Sequence, residues 1–426
     1  MDVDLGHALA PDAIPGVRES SLERLDRAVA EAHDRILAGV DEERFGYAAL
    51  GLGERVDPGS IRAAVGDHRV GDPVVVVGMG GSALGARAVA GALAPSADWL
   101  VLDSIDPAYV RRRLEAVDLE RALVHVVSRS GATVETRALF RLVREAMADA
   151  GVDWTARTVA TTTADGPLGE AVADAGVPRL DPPRGVPGRY SVLSSMALPS
   201  AAALGVDIEG LLAGGRRAAV ALEGSLFDVP GYAYGATMAA LAARGATQSA
   251  FVVYREALVG VAHWYAQLWA ESLGKDGLGQ TPIPGRGVAD HHSQLQRWRD
   301  GRRDLVVSTL AVPPTDDLSV PGDDDLGRVG LGELLELERR GAEASLAAAR
   351  RPTVGLELER LDAEALGGLF VDLEAACIMY AELAGIDPFD QPAVEWGKQA
   401  VRDALADRET DRTRRLREAG GFRISR

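Results

Sequence analysis

Short aliphatic runs alternate with segments of helical spacing through most of the chain. Val74-Val75-Val76-Val77, Trp99-Leu100-Val101-Leu102, Leu123-Val124-His125-Val126-Val127 and Thr158-Val159-Ala160-Thr161 each predict a strand, and Val177-Pro178-Arg179-Leu180 a short edge strand. Helices are predicted between them near 82–94, 107–116 and 133–149. Strands that are apolar at nearly every position, with helices between, belong to a parallel sheet covered on both faces. The proline- and glycine-rich segment from Pro182 to Gly188 then breaks the chain, and a helical stretch over 194–222 follows. A second set begins near 249: strand 249–254, helix 256–273, strand 305–310, helix 330–350, strand 353–358 and helix 362–384. Ahead of both sets, Leu22, Leu25, Val29, Ala32 and Ile36 recur on one helix face, and a charged helix over 394–417 ends the pattern. The expectation is an α/β protein with a helical N-terminal segment (1–70), two α/β domains (71–205 and 206–400) and a C-terminal helix or tail (401–426). The two domains are alike in order without a sequence repeat.

Composition narrows the picture. A chain of 426 residues is too long for one ordinary core, and 47% hydrophobic residues with only 5% aromatics suit packed α/β layers. The formal net charge of −17 argues against nucleic-acid phosphates and anionic membranes as partners. No stretch approaches the roughly 18 uninterrupted apolar residues of a membrane span, and the acidic start from Met1 to His7 lacks the basic region of a signal peptide. A soluble, cytoplasmic protein is expected. The single cysteine, Cys377, lies in an apolar run and reads as a small buried hydrophobe. Of 46 basic residues only two, Lys275 and Lys398, are lysines. An ammonium is a compact, rotatable donor and a guanidinium is flat and always charged, so positions that keep lysine are candidates for work arginine cannot do. The acidic, lysine-poor surface fits adaptation to high salt, and equally a GC-rich genome favouring arginine codons.

Five constellations carry candidate chemistry. Gly78-Met79-Gly80-Gly81-Ser82-Ala83-Leu84-Gly85 follows a buried strand and opens a helix, where glycines admit an anion to unpaired N–H groups; a tight structural turn is the alternative. It lacks the lysine of a P-loop and the spacing of a dinucleotide fingerprint, and Asp103 makes a weak ribose ligand. Ser128-Arg129-Ser130-Gly131-Ala132-Thr133 holds the equivalent place after the third strand and reads as a phosphate cradle rather than as helix caps alone. On helix 256–273 the stripe Ala257, Val261, Trp264, Leu268 runs into Glu271. A carboxylate there is expected to be partly desolvated, which suits it to proton abstraction; a glutamate turned to water is the alternative. Asp290-His291-His292-Ser293-Gln294-Leu295 offers adjacent histidines, too few for a zinc site and better read as proton-transfer groups. Gln391 to Lys398 contains one of the two lysines. The acidic loop 313–325, with Asp316, Asp317, Asp323, Asp324 and Asp325, fits no calcium loop and reads as solvated.

The two hydroxyl-rich loops, Gly188-Arg189-Tyr190-Ser191, Glu271-Ser272-Leu273-Gly274-Lys275, the histidine segment and Phe389 to Glu395 with Lys398 occur in an order that resembles the phosphoglucose isomerase family, from about residue 70 to 400. The resemblance implies two sugar-isomerase (SIS) domains, each a parallel sheet flanked by helices, with the active site at a domain and subunit junction. It implies that Gly81, Ser82, Ser128, Arg129, Ser130 and Thr133 hold the phosphate, that Glu271 moves a proton between C2 and C1, and that Arg189 steadies the enediolate. His292 and Lys398 would assist ring opening, and Gln391 would contact the sugar. His292 would come from a neighbouring subunit, so a homodimer is expected. No metal and no redox cofactor is implied. Arg129 stands where lysine is common, His291 where glutamine is usual, and Leu273 where a polar residue is frequent; Lys275 reads as structural. Two other outcomes share the same domains: an isomerase that also accepts mannose 6-phosphate, and a non-catalytic sugar-phosphate sensor.

Overall fold

The valine-rich runs become central strands because they are apolar on both faces and so can be covered on both. In the computed structural model, which describes residues 1–314, 316–322, 324, 326–418 and 424, strand β1 (Asp2–Asp4) comes first. A short parallel pair, β2 (Leu9–Ala10) and β3 (Val17–Arg18), precedes helices α1 (Glu19–Asp41), α2 (Leu52–Arg55) and α3 (Pro58–Val65). The first sheet is built from β4 (Val74–Val77), β5 (Trp99–Leu102), β6 (Leu123–Val127), β7 (Thr158–Thr161) and β8 (Arg179–Leu180). Between these strands run α4 (Leu84–Leu93), α5 (Pro107–Ala116), α6 (Val134–Asp149) and α7 (Pro167–Asp174). Helix α5 starts where it does because Asp106 accepts from the N–H groups of Ala108 and Tyr109, with Pro107 at the first helical position. All neighbouring strands are parallel, in the order β5-β4-β6-β7-β8. The chain fills one side of β4 and then crosses to the other, so the topological switch lies between β4 and β6. The loops leaving those two strands are the glycine-rich segment 78–85 and the hydroxyl-rich segment 128–133, and ligands collect at such a switch in open parallel sheets.

Helices α8 (Leu198–Ala203), α9 (Ile208–Val220) and α10 (Pro230–Ala242) lead into the second sheet. Its elements are β9 (Gln248–Val253), α11 (Val259–Leu273), β10 (Thr281–Arg286), α12 (Ala289–Asp300), β11 (Leu305–Ala311), α13 (Leu331–Ala348), β12 (Thr353–Glu357) and α14 (Ala363–Ala384). The order is β1-β12-β11-β9-β10, parallel except for β1. Helix α11 packs on α4 of the first sheet, with Gly260 against the backbone of Arg87 and Ala88. That contact carries the far end of α11, and with it Glu271, towards the loops of the first sheet.

Several expectations need correction. The N-terminal segment is not purely helical: Asp2–Asp4 pairs antiparallel with β12 and completes the second sheet. The predicted stretch over 194–222 is two helices, α9 restarting where Asp207 caps Gly210 N–H. Strand β10 and helix α12 escaped prediction. Pro282 and Pro284 cannot donate to a ladder, and they are tolerated here because β10 is an edge. By its contacts the chain divides into Met1–Pro388 and Phe389–Arg426. In the second unit the expected single helix is two, α15 (Glu395–Leu405) and α16 (Asp411–Glu418). Asp407 takes a left-handed conformation between them, and buried Asp403 accepts from Arg412. Asp316, Asp317 and Asp324 lie in an exposed loop as read, while Asp323 and Asp325 fall outside the described residues. Cys377 is fully buried, and burial pushes its thiol up to about 11.

Candidate active site

The loop after β4 is shaped by one close approach. A side chain on Gly81 would place its Cβ 2.6 Å from the Gly188 carbonyl carbon and 2.8 Å from Arg189 N, so only glycine lets the two segments meet. On the same loop Gly80 lies against Gln267 of α11. Gln267 Nε2 in turn donates to Glu271 Oε1 at 2.9 Å, one helical turn on.

The other loop leaves β6, the strand paired with β4. Gly131 has φ +64°, and the chain turns there so that Thr133 can start α6. Thr133 is the residue before the helix, yet its hydroxyl caps no N–H group; it accepts instead from Ser128 Oγ at 3.3 Å. Helix caps alone therefore do not account for this loop, and among the described residues no side chain caps the first turn of α6. Ser130 is exposed, with its hydroxyl accepting from Ala132 N–H at 3.3 Å. Arg129 is half-buried, and burial pulls its guanidinium below its ordinary value. Among the described residues no carboxylate pairs with it. In sequence Arg129 stands between Ser128 and Ser130, and a partly dehydrated cation favours a nearby anion. Asp103, the weak ribose candidate, pairs with Arg87 at 2.7 Å.

Arg189 joins the glycine loop to the carboxylate. It is almost wholly buried. Its Nε donates to Ser272 Oγ at 2.8 Å, its Nη2 to the Pro388 carbonyl at 2.6 Å, and its Nη1 faces Glu271 Oε2 at 3.4 Å. Trp264 Nε1 donates to the Arg189 carbonyl at 3.1 Å, fixing the backbone as well. Glu271 is 31% exposed, so its carboxylate is neither sealed in the core nor turned fully to water. Arg189, Glu271 and the glycine loop are thus contiguous through named contacts. Sequence reasoning passed over Ser272, Gln267 and Tyr190. Gln267 had a readable signal, four residues before Glu271 on one helix face. Ser272, which also accepts from the Tyr190 hydroxyl at 2.9 Å, had none beyond its place next to Glu271.

The histidines lie elsewhere. At the Glu271 end of α11, Trp269 Nε1 donates to Gln280, which donates to the Ala246 carbonyl just before β9. At the other end of β9, the Tyr254 hydroxyl is 3.4 Å from His291 Nδ1. From Ala246 through the six residues of β9 to Tyr254 the chain advances eight steps, about 26 Å at roughly 3.3 Å each, so the histidines and Glu271 lie towards opposite ends of β9. His291 is buried and faces Glu338 on α13, and burial lowers its pKa; His292 is exposed. Lys275 donates to the Asp387 carbonyl, a structural tie. Gln391 and Lys398 belong to the second unit, where Lys398 Nζ is 3.2 Å from Glu395 Oε1.

Residues 49–281 match the family model described as phosphoglucose isomerase. A probable glucose-6-phosphate isomerase of Natronomonas pharaonis is 52% identical over 413 residues, which cover 95% of each chain. One of Haloarcula marismortui is 48% identical over 430 residues, covering 100% of this chain and 99% of its own. Among solved structures, a hypothetical protein of Thermus thermophilus superposes with a TM-score of 0.84 at 30% identity, over 95% of this chain and 99% of that one. A glucose-6-phosphate isomerase of Chlamydia trachomatis superposes at 0.71 with 22% identity, over 87% of this chain and 75% of that one, a likeness of fold. Among the described residues no helix is long and apolar enough to cross a membrane.

Proposed function

The chain belongs to the phosphoglucose isomerase family, and from that premise we propose how its residues divide an aldose–ketose isomerisation. It is an isomerase that interconverts glucose 6-phosphate and fructose 6-phosphate, a step of glycolysis and gluconeogenesis. In our reading Ser82, Ser128, Ser130, Thr133 and Arg129, with the Gly81 backbone, grip the phosphate at the switch of the first sheet. His292 and Lys398 move the proton that opens the sugar ring, and Gln391 contacts the sugar. Glu271 then takes the C2 proton and returns it to C1, both on one face of a cis-enediol. Arg189 stabilises the oxyanion that develops on the way. The reaction exchanges a proton between adjacent carbons and consumes neither an oxidant nor a metal ion.

The observation that carries this reading is the placement of Arg189 Nη1 3.4 Å from Glu271 Oε2, directly behind the Gly81 turn. A carboxylate and a fixed cation are then side by side, against the glycine turn that follows β4. Ser272 Oγ accepts from Nε and the Pro388 carbonyl from Nη2 of Arg189, so its cation is preorganised and little rearrangement accompanies charge development.

The separation of His292 from Glu271 along β9 supports a homodimer in which each site borrows the partner's histidine. A coupled assay for glucose 6-phosphate formed from fructose 6-phosphate, with and without EDTA, tests the reaction: equal turnover in both is expected, and no turnover in either contradicts it. Mixing Glu271→Gln and His292→Asn proteins after dissociation tests the sharing. Random pairing would restore about a quarter of wild-type activity, since half the dimers carry one intact site. Two inactive proteins that stay inactive when mixed would contradict it.

A further inference from the structure

In sequence the adjacent histidines lack enough partners to bind a metal, but the fold brings a third donor to them. His291 and His292 stand in the first turn of α12, and Glu338 of α13 faces them. His291 Nε2 is 3.4 Å from Glu338 Oε2. The imidazoles stack with centroids 5.0 Å apart and planes inclined by 25°. One nitrogen of each ring and one Glu338 oxygen therefore lie within 4.8 Å of one another. Donors bound to zinc at about 2.0–2.2 Å stand roughly 3.4 Å apart around a tetrahedron. The His291–Glu338 pair already has that spacing. His292, exposed in the single chain, needs to close by about 1–1.5 Å to reach the same spacing.

The support behind the donors is also present. The Tyr254 hydroxyl, 3.4 Å from His291 Nδ1, can accept the proton on that nitrogen. Nε2 then keeps its lone pair, aimed at the space it shares with Glu338. The carboxylate arrives from a separate helix, so the trio is fixed by tertiary packing rather than by helix spacing alone.

We propose that His291, His292 and Glu338 form a site for one divalent transition-metal ion of the zinc or cobalt(II) class, with water completing its coordination. Two imidazole nitrogens and one carboxylate oxygen favour such ions over magnesium and calcium, which prefer all-oxygen shells. The binding stands apart from the reaction. Its consequence rests on the isomerase reading: an ion that takes the His292 lone pair removes the group assigned to ring opening, so loading the site inhibits the enzyme.

The test is a zinc titration of the full-length protein after chelator treatment, in competition with a chromophoric chelator, with cobalt(II) absorption as an independent readout. One ion per chain is expected. Glu338→Gln and His291→Asn should each weaken binding by at least about tenfold, and Tyr254→Phe by about tenfold through loss of the supporting group. Thermal melts confirm that each variant is folded, and the Tyr254 variant retains all three donors should another fail. Absence of saturable uptake overturns the site, as does uptake equal in wild type and all folded variants. Tight, variant-sensitive binding with no inhibition upholds the site and counts against the role given to His292.

Discussion

Replacing Gly81 with alanine adds one methyl group where the two halves of the proposed site meet. The new Cβ would stand 2.6 Å from the Gly188 carbonyl carbon and 2.8 Å from Arg189 N, both backbone atoms. Ordinary contact begins near 3.4 Å, so one segment must retreat by roughly 0.6–0.8 Å, close to the ~1 Å displacement that can cost about 10²-fold in rate at a reacting centre. Overpacking of this kind costs about 1–3 kcal/mol of stability, which leaves a folded protein. The expected outcome in the coupled fructose 6-phosphate assay is a fall in kcat of about 10²-fold, with Tm lowered by only a few degrees. Gly91→Ala is the matched control on α4: its Cβ meets only the Ala257 carbonyl oxygen, at 3.5 Å, an ordinary contact. It should retain full activity and gain up to about 1 kcal/mol from helix propensity. A folded Gly81→Ala enzyme with activity within about threefold of wild type would refute the claim that this close approach positions Arg189.

Two further outcomes follow from groups with unusual surroundings. Arg129→Ala removes a half-buried cation from the hydroxyl loop and should raise KM for fructose 6-phosphate by roughly 10–100-fold, the worth of one charged hydrogen bond, with a smaller effect on kcat; steady-state kinetics check it, and an unaltered KM contradicts it. Glu374 on α14 is fully buried, and desolvation holds its carboxyl well above its ordinary 4.5. Its folded form is the acid, whereas the unfolded chain releases that proton above about pH 4.5, so its contribution to stability is full below that pH and is lost as pH rises towards the folded value. Glu374→Gln mimics the protonated form, so its Tm relative to wild type should climb from about pH 5 to pH 8; a difference flat with pH contradicts this.

Much of the fold was legible because the central strands of both sheets are apolar on both faces and the helices between them carry apolar stripes. Val74–Val77 and Leu123–Val127 could be placed to the residue. Strand β10 was not, because Thr281-Pro282-Ile283-Pro284 carries the residues that normally forbid a ladder, and only its edge position permits them. Asp2–Asp4 was missed because two of its three residues are charged and its pairing partner lies some 350 residues away. Of the site, the hydroxyl loops and Glu271 announce themselves by their place after strands and on an apolar stripe. The buried triangle of Arg189, Ser272 and Tyr190 depends on contacts between residues about 80 positions apart, which no local pattern records. The identity of His292 as the exposed member of its pair, and of Glu338 as the partner of His291, likewise required the packing of α12 against α13.

The central claim is that the Glu271 carboxylate carries the proton between the two sugar carbons. Turnover of Glu271→Gln, set beside its affinity for fructose 6-phosphate measured by calorimetry, tests it most directly. The substitution keeps size and shape, so affinity should stay within about threefold while kcat falls by about 10²–10⁴-fold. A variant that binds substrate normally and still turns over within about tenfold of wild type would place the base elsewhere.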